Sequence, residues 1–196
     1  MVWPPPSVPY FNSQGRFFKA DWDRAGRYAH FIGHSRDIRI RSTLKRRAHL
    51  HLVLDLDLTD PRVGIPAVDL LRLPLLHPFR HDGGAAKYRV LADDTIELLE
   101  INGRILDGWP YGDYPERFAP RPFDVTEPVP CTREEFDEPM LQSVNDEHLG
   151  WFIAVVPDAR IDGKHGLWSD SGGECINAVF AFDRKSRIVE TYNECD

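Results

Sequence analysis

The sequence predicts an α+β fold: mainly antiparallel sheet built from hairpins, with a few short peripheral helices. Three observations carry this. Residues 49–58 alternate apolar and polar with the two-residue period of a strand. Asp93-Asp94 and Asn102-Gly103 mark reversals between short apolar runs. Helical spacing is confined to three short stretches, without the strand and helix alternation of nucleotide-binding folds.

The 196-residue chain fits a single domain, with a Pro-rich arm over 1–12 and a long aromatic, Pro-rich loop over 107–130. Cys131, Cys175 and Cys195 are odd in number and widely spaced, which argues against a disulfide framework and against a Cys-x-x-Cys metal knuckle. No signal peptide pattern and no run of apolar residues long enough to span a membrane is present, so a cytoplasmic setting is expected. Net charge is −7, unevenly spread: residues 1–50 hold ten Lys and Arg against three Asp and Glu, and the remainder fourteen against twenty-eight. The plain reading is internal complementarity between basic strands and acidic loops. Arg36, Arg39, Arg41, Lys45, Arg46 and Arg47 could also meet phosphates, but the acidic remainder would repel a polyanion and argues against nucleic acid.

In chain order, the prolines of Trp3-Pro4-Pro5-Pro6-Ser7-Val8-Pro9 exclude helix and central strand. Trp3, Tyr10 and Phe11 would dock this arm on an apolar surface. Phe18, Trp22, Ala25, Ala29 and Ile32 share a helical face, with Gly33 placed as a cap. Residues 36–41 alternate as a strand, with Ile38 and Ile40 inward, and would pair with 49–58 across a turn near 42–45. In 49–58 the leucines at 50, 52, 54, 56 and 58 face a core. His49, His51, Val53, Asp55 and Asp57 lie on the opposite, polar face.

Pro66 suits the start of a short connector helix through Val68, Leu70 and Leu71. Residues 73–80, punctuated by prolines, read as an edge strand or an extended cover segment. Residues 87–91, 95–101 and 104–106 form a meander whose second turn, Asn102-Gly103, suits type I′. Disordered linkers are poor in aromatics, so the 107–130 segment is expected to be ordered, with Trp109 and Phe118 or Phe123 buried. Thr132-Arg133-Glu134-Glu135 matches a capping box ahead of a helix facing inward through Phe136, Met140, Leu141 and Val144. Strands follow at 151–156, 174–182 and 187–192, the middle one apolar on both faces and therefore central.

Leu52-Val53-Leu54-Asp55-Leu56, Leu73-Pro74-Leu75 leading to Phe79, Gly108-Trp109-Pro110, and Trp168-Ser169-Asp170-Ser171-Gly172-Gly173 before a Phe-rich strand occur in that order. In this the chain resembles the YwqG-like family of bacterial proteins. The resemblance implies an α+β cytoplasmic domain and names no activity.

Two functional readings follow from the residues. His49 and His51, two apart on one strand face, can reach a single divalent transition metal, with His77 as third ligand and His81, Asp55 or Asp57 as alternatives. The competing account of these groups is a polar sheet face hydrogen-bonded to its neighbours. The other functional reading needs no cofactor: a protein-binding module, such as a bacterial immunity or regulatory protein, presenting Trp109, Tyr111 and Tyr114 as anchors to a partner that is itself basic. No nucleophile constellation is evident. Cys175 lies in an apolar strand, and Asp170-Ser171-Gly172-Gly173 lacks the Lys and the helix of a phosphate loop.

Overall fold

The computed structural model describes residues 8–22, 24, 26–65, 69–130, 151–170 and 176–195. Among them there is no helix, and the α+β expectation is corrected to an all-β fold. The strands are β1 (Tyr10–Ser13), β2 (Arg16–Asp21), β3 (His30–Ile32), β4 (Arg39–Ser42), β5 (His51–Asp57), β6 (Arg72–His77), β7 (Ala86–Ala92), β8 (Thr95–Ile101), β9 (Arg121–Val125), β10 (Val129–Pro130), β11 (Phe152–Pro157), β12 (Ile176–Asp183) and β13 (Ile188–Cys195).

They form one sheet in the order β4-β8-β7-β13-β12-β11-β1-β2-β9-β3-β5-β6, with β10 added beside β2. Every pairing is antiparallel except β4 with β8. The path curls, so that terminal β6 packs on β7, β12 and β13. Tyr88 OH on β7 accepts from Leu76 N at 2.7 Å and donates to Pro74 O at 3.2 Å. The His77 ring meets Phe180 of β12 at 6.0 Å. The main core lies inside this curl.

The helix expected over 18–32 is replaced among the described residues by β2, which ends at Asp21, and β3, which begins at His30. The reason is two-sided burial: Phe17 packs with Tyr10, Val155 and Val179, while Phe18 packs in the main core. Adjacent residues serving opposite faces is what a strand does and a helix cannot. Of the connector helix, residues 66–68 lie outside the described residues, while Asp69 has φ +52° and Leu71 is exposed. The helix read over 132–144 lies outside the described residues. The arm's last residues, Tyr10 to Asn12, are strand β1, paired with β2 and β11.

Strand β4 does not pair with β5. It lies parallel to β8, and β5 sits between β3 and β6. The β7–β8 hairpin turns at Asp93-Asp94 as expected. At Asn102-Gly103 only the glycine has positive φ, so the turn is not type I′, and the residues beyond it contribute one bridge, Ile105 to His81. Strand β12 is central, with Ala178, Phe180 and Phe182 in the main core and Val179 and Ala181 in the second cluster.

The opposite face of β5 is also covered. Val53 is an extra residue in the ladder with β6, because Leu52 pairs with Leu76 and Leu54 with Leu75. Asp55, 1% exposed, receives Arg36 Nε at 2.7 Å, Arg72 Nη2 at 2.8 Å and Ser35 Oγ at 2.7 Å. Burial pushes its carboxyl up, but the Arg36, Arg72 and Ser35 hydrogen bonds outweigh this and hold it below its ordinary value. A second buried network holds His30: its Nε2 donates to Asp60 at 3.0 Å and its Nδ1 accepts from Asp57 N at 3.1 Å.

Candidate binding site

Two loops meet over one end of the curl. Tyr111 OH donates to Gly166 O at 3.1 Å and Tyr114 OH to Leu167 O at 2.9 Å. The second loop is fixed in turn by Asp158, whose Oδ1 accepts Leu167 N at 2.8 Å and Trp168 N at 3.0 Å. Beneath them Phe79 stands 4.9 Å from Trp168, 5.9 Å from Phe118 and 6.2 Å from Tyr114, ring centre to ring centre. The Trp168 and Phe118 contacts are edge-on and the Tyr114 contact is tilted, arrangements that aromatic rings favour over face-to-face stacking.

The predicted metal residues enter this aromatic group from below. His51 lies 5.3 Å from both Tyr114 and Phe118, and its Nε2 donates to Pro115 O at 2.9 Å. Its pKa falls to about 3, first from burial and then from His49, whose ring is 4.5 Å away. His49 Nδ1 faces Glu116 at 3.6 Å, and Glu116 also takes Arg80. His77, across from His51 on β6, uses both ring nitrogens: Nδ1 accepts from Thr191 Oγ1 at 2.6 Å and Nε2 donates to Asn193 Oδ1 at 2.7 Å. Burial brings its pKa to about 3. His81 Nε2 accepts from His49 N at 3.2 Å.

Thus the fold gathers His49, His51, His77 and His81, but His77 is committed elsewhere. Among the described residues no three His, Cys, Asp or Glu side chains converge as metal ligands. The ring nitrogens His49 Nε2 and His51 Nδ1 have no hydrogen-bond partner among the described residues, and these two could hold a metal.

The three predicted anchors are separated by depth. Tyr114 is inside, Tyr111 is half-buried, and Trp109 is 41% exposed, contrary to the burial expected of it. Phe118 and Phe123 are buried with Tyr114, and the segment also supplies β9 and β10. Carboxylates surround Tyr111: burial first, then Asp113, Asp162, Asp158 and Asp170, push its hydroxyl up to about 12. Asp107, Asp113 and Asp170 are exposed, while the Asp162 carboxylate is turned inward and accepts from Lys164 N, His165 N and the His165 ring. Sequence reasoning placed Phe79 and Asp170 only in motifs and gave them no part in a site, and it did not mark Asp162, Glu116 or Arg80. The signal that could have found them is a second loop rich in Gly, Asp and Trp, able to complement an aromatic one.

The described chain is therefore an all-β scaffold carrying an acidic, aromatic-tipped loop pair. Comparison with family models, curated proteins and solved structures returns no match. No helix among the described residues is long and apolar enough to cross a membrane.

Proposed function

We propose that the protein is a protein-binding module of the immunity or regulatory kind, and that the loop carrying Trp109 meets a basic partner. The observation that carries this reading is the exposed Trp109 ring on a loop pinned by Tyr111 and Tyr114. Tryptophan and tyrosine are among the residues enriched in binding hot spots, and a ring held out by a fixed loop loses little freedom when a partner covers it. The exposed Asp107, Asp113 and Asp170 favour Lys and Arg on that partner, which would also lie over the indole face. No covalent chemistry is required of any residue here.

The test is affinity capture from a lysate of the source organism with wild type, Trp109→Ala and Asp113→Lys, all confirmed folded. A basic protein retained by wild type and lost with either substitution supports the reading. Identical capture by all three removes it.

A second reading, metal binding at His49 and His51, draws on their unengaged ring nitrogens. It is separated from the first by the sensitivity of the melt to chelator.

A further inference from the structure

We infer that the edge of β4, unpaired among the described residues, is a strand-addition site for an extended acidic peptide segment. This surface is distinct from the Trp109 loop, and its test stands apart from that reading.

β4 ends the strand order, and all four of its residues are exposed. Its phase is fixed by Arg39 N donating to Asp94 O at 2.7 Å and by the parallel register Arg39 to Thr95, Ile40 to Ile96 and Arg41 to Glu97. In a parallel ladder alternate residues turn their backbone groups to the same neighbour. Arg39 and Arg41 therefore bond β8, and Ile40 and Ser42 direct their amide and carbonyl groups outward. An exposed row of this kind is a template for another strand. Ile40, 37% exposed, adds an apolar contact.

Charge selects the occupant. Arg39, Arg41, Lys45, Arg46 and Arg47 are all exposed, and among the described residues none has a carboxylate at ion-pair distance. Arg46 is engaged only by the Gly103 carbonyl. Glu97, opposite Arg41, is taken by Arg89 at 2.9 Å. Asp94 lies in the field of Arg39 without pairing to it. Arg36 alone of this basic run has a buried partner, Asp55. A second copy pairing edge to edge would set these arginines against one another, which is destabilising. A peptide alternating Glu or Asp with Val or Ile would satisfy the edge groups, the cations and Ile40 together. The strip carries no aromatic ring on which a base could stack, so peptide is favoured over nucleic acid.

The experiment titrates a fluorescent peptide of about eight residues, alternating Val with Glu, into the full chain. A proline-interrupted peptide of the same charge and a single-stranded oligonucleotide serve as comparison probes. Saturable binding is expected, weakened roughly tenfold or more by Arg39→Glu with Arg41→Glu and, separately, by Ile40→Pro. Proline at 40 removes the outward amide and the Ile40 side chain but leaves the bonds of Arg39 and Arg41 to β8, so thermal unfolding should stay near wild type. Trp109→Ala should bind the peptide as wild type does. If a variant fails to fold, amide exchange of wild type decides: peptide must protect Ile40 and Ser42. The inference is overturned if the peptide does not bind, if folded Ile40→Pro or the interrupted peptide binds equally well, if Ile40 and Ser42 gain no protection, or if the oligonucleotide binds more tightly than the peptide.

Discussion

His77 Nε2 donates to Asn193 Oδ1 at 2.7 Å, joining residues 116 positions apart in sequence. It ties the terminal strand β6 to β13, and with the Thr191 bond it fastens the curl shut. Thr191→Val keeps the shape of the side chain but leaves the buried Nδ1 of His77 unpaired. The expected cost is about 1–3 kcal/mol. Denaturant unfolding checks it, and a loss below a few tenths would show that the ring finds another partner.

Acid sensitivity follows from the same rings. In the folded chain His51 and His77 titrate at about 3, against 6.5 when free. Between those values the unfolded chain binds protons that the folded chain refuses, so stability falls as pH drops from about 6.5 toward 3 and then levels for these groups. The slope approaches roughly 1.4 kcal/mol per pH unit for each histidine. Urea midpoints at neutral pH and near pH 4 provide the measurement. Constant midpoints would mean that the rings carry their protons inside the fold.

Asp55→Ala is expected to cost about 3–5 kcal/mol, because it strands the Arg36 and Arg72 guanidinium groups in a largely covered site. Asp55→Asn should fall in between, retaining acceptor oxygen without charge. A change under about 1 kcal/mol for Asp55→Ala would show that the guanidinium groups escape to water.

Much of the sheet was readable because its signals are local. The β7–β8 hairpin needs only alternation and the Asp93-Asp94 turn, and the central place of β12 shows in its unbroken apolar run. The errors arose where burial depends on distant partners. Phe18, Trp22, Ala29 and Ile32 fit a helical spacing, and nothing local says that Phe17 opposes a second cluster built by Tyr10, Val155 and Val179. The His51 face looked solvated because its cover, Phe79, Tyr114 and Phe118, comes from loops far along the chain. Likewise Asp55 and Asp57 read as one polar pair, while Arg36 and Arg72 cover the first and Thr59 binds the second.

The histidine pair separates the two functional readings. On the protein-binding reading, His49→Ala changes stability by about 1 kcal/mol or less, since it loses a long contact to Glu116 and the packing of its ring on His51 while removing a buried Nε2 that has no partner among the described residues. Chelator should leave the wild-type melt unmoved. A wild-type melting temperature that falls with chelator, and does not in His49→Ala, would assign a metal to His49 and His51 through mass action on the folded state.

Trp109 and Phe118 should divide binding from stability. Phe118 is buried against His51, Phe79 and Tyr114, so Phe118→Ala removes ring burial and leaves a cavity, at about 3–5 kcal/mol. Trp109 is 41% exposed, and Trp109→Ala should shift stability by roughly 1 kcal/mol at most. The loop stays in place through the Tyr111 and Tyr114 hydroxyls. Thermal unfolding of both variants, set beside partner capture by each while folded, gives the comparison. Trp109→Ala should lose the partner and keep its melting temperature. Were it to lose several kcal/mol instead, the indole would be a structural ring, and the case for a binding anchor at this loop would fall with it.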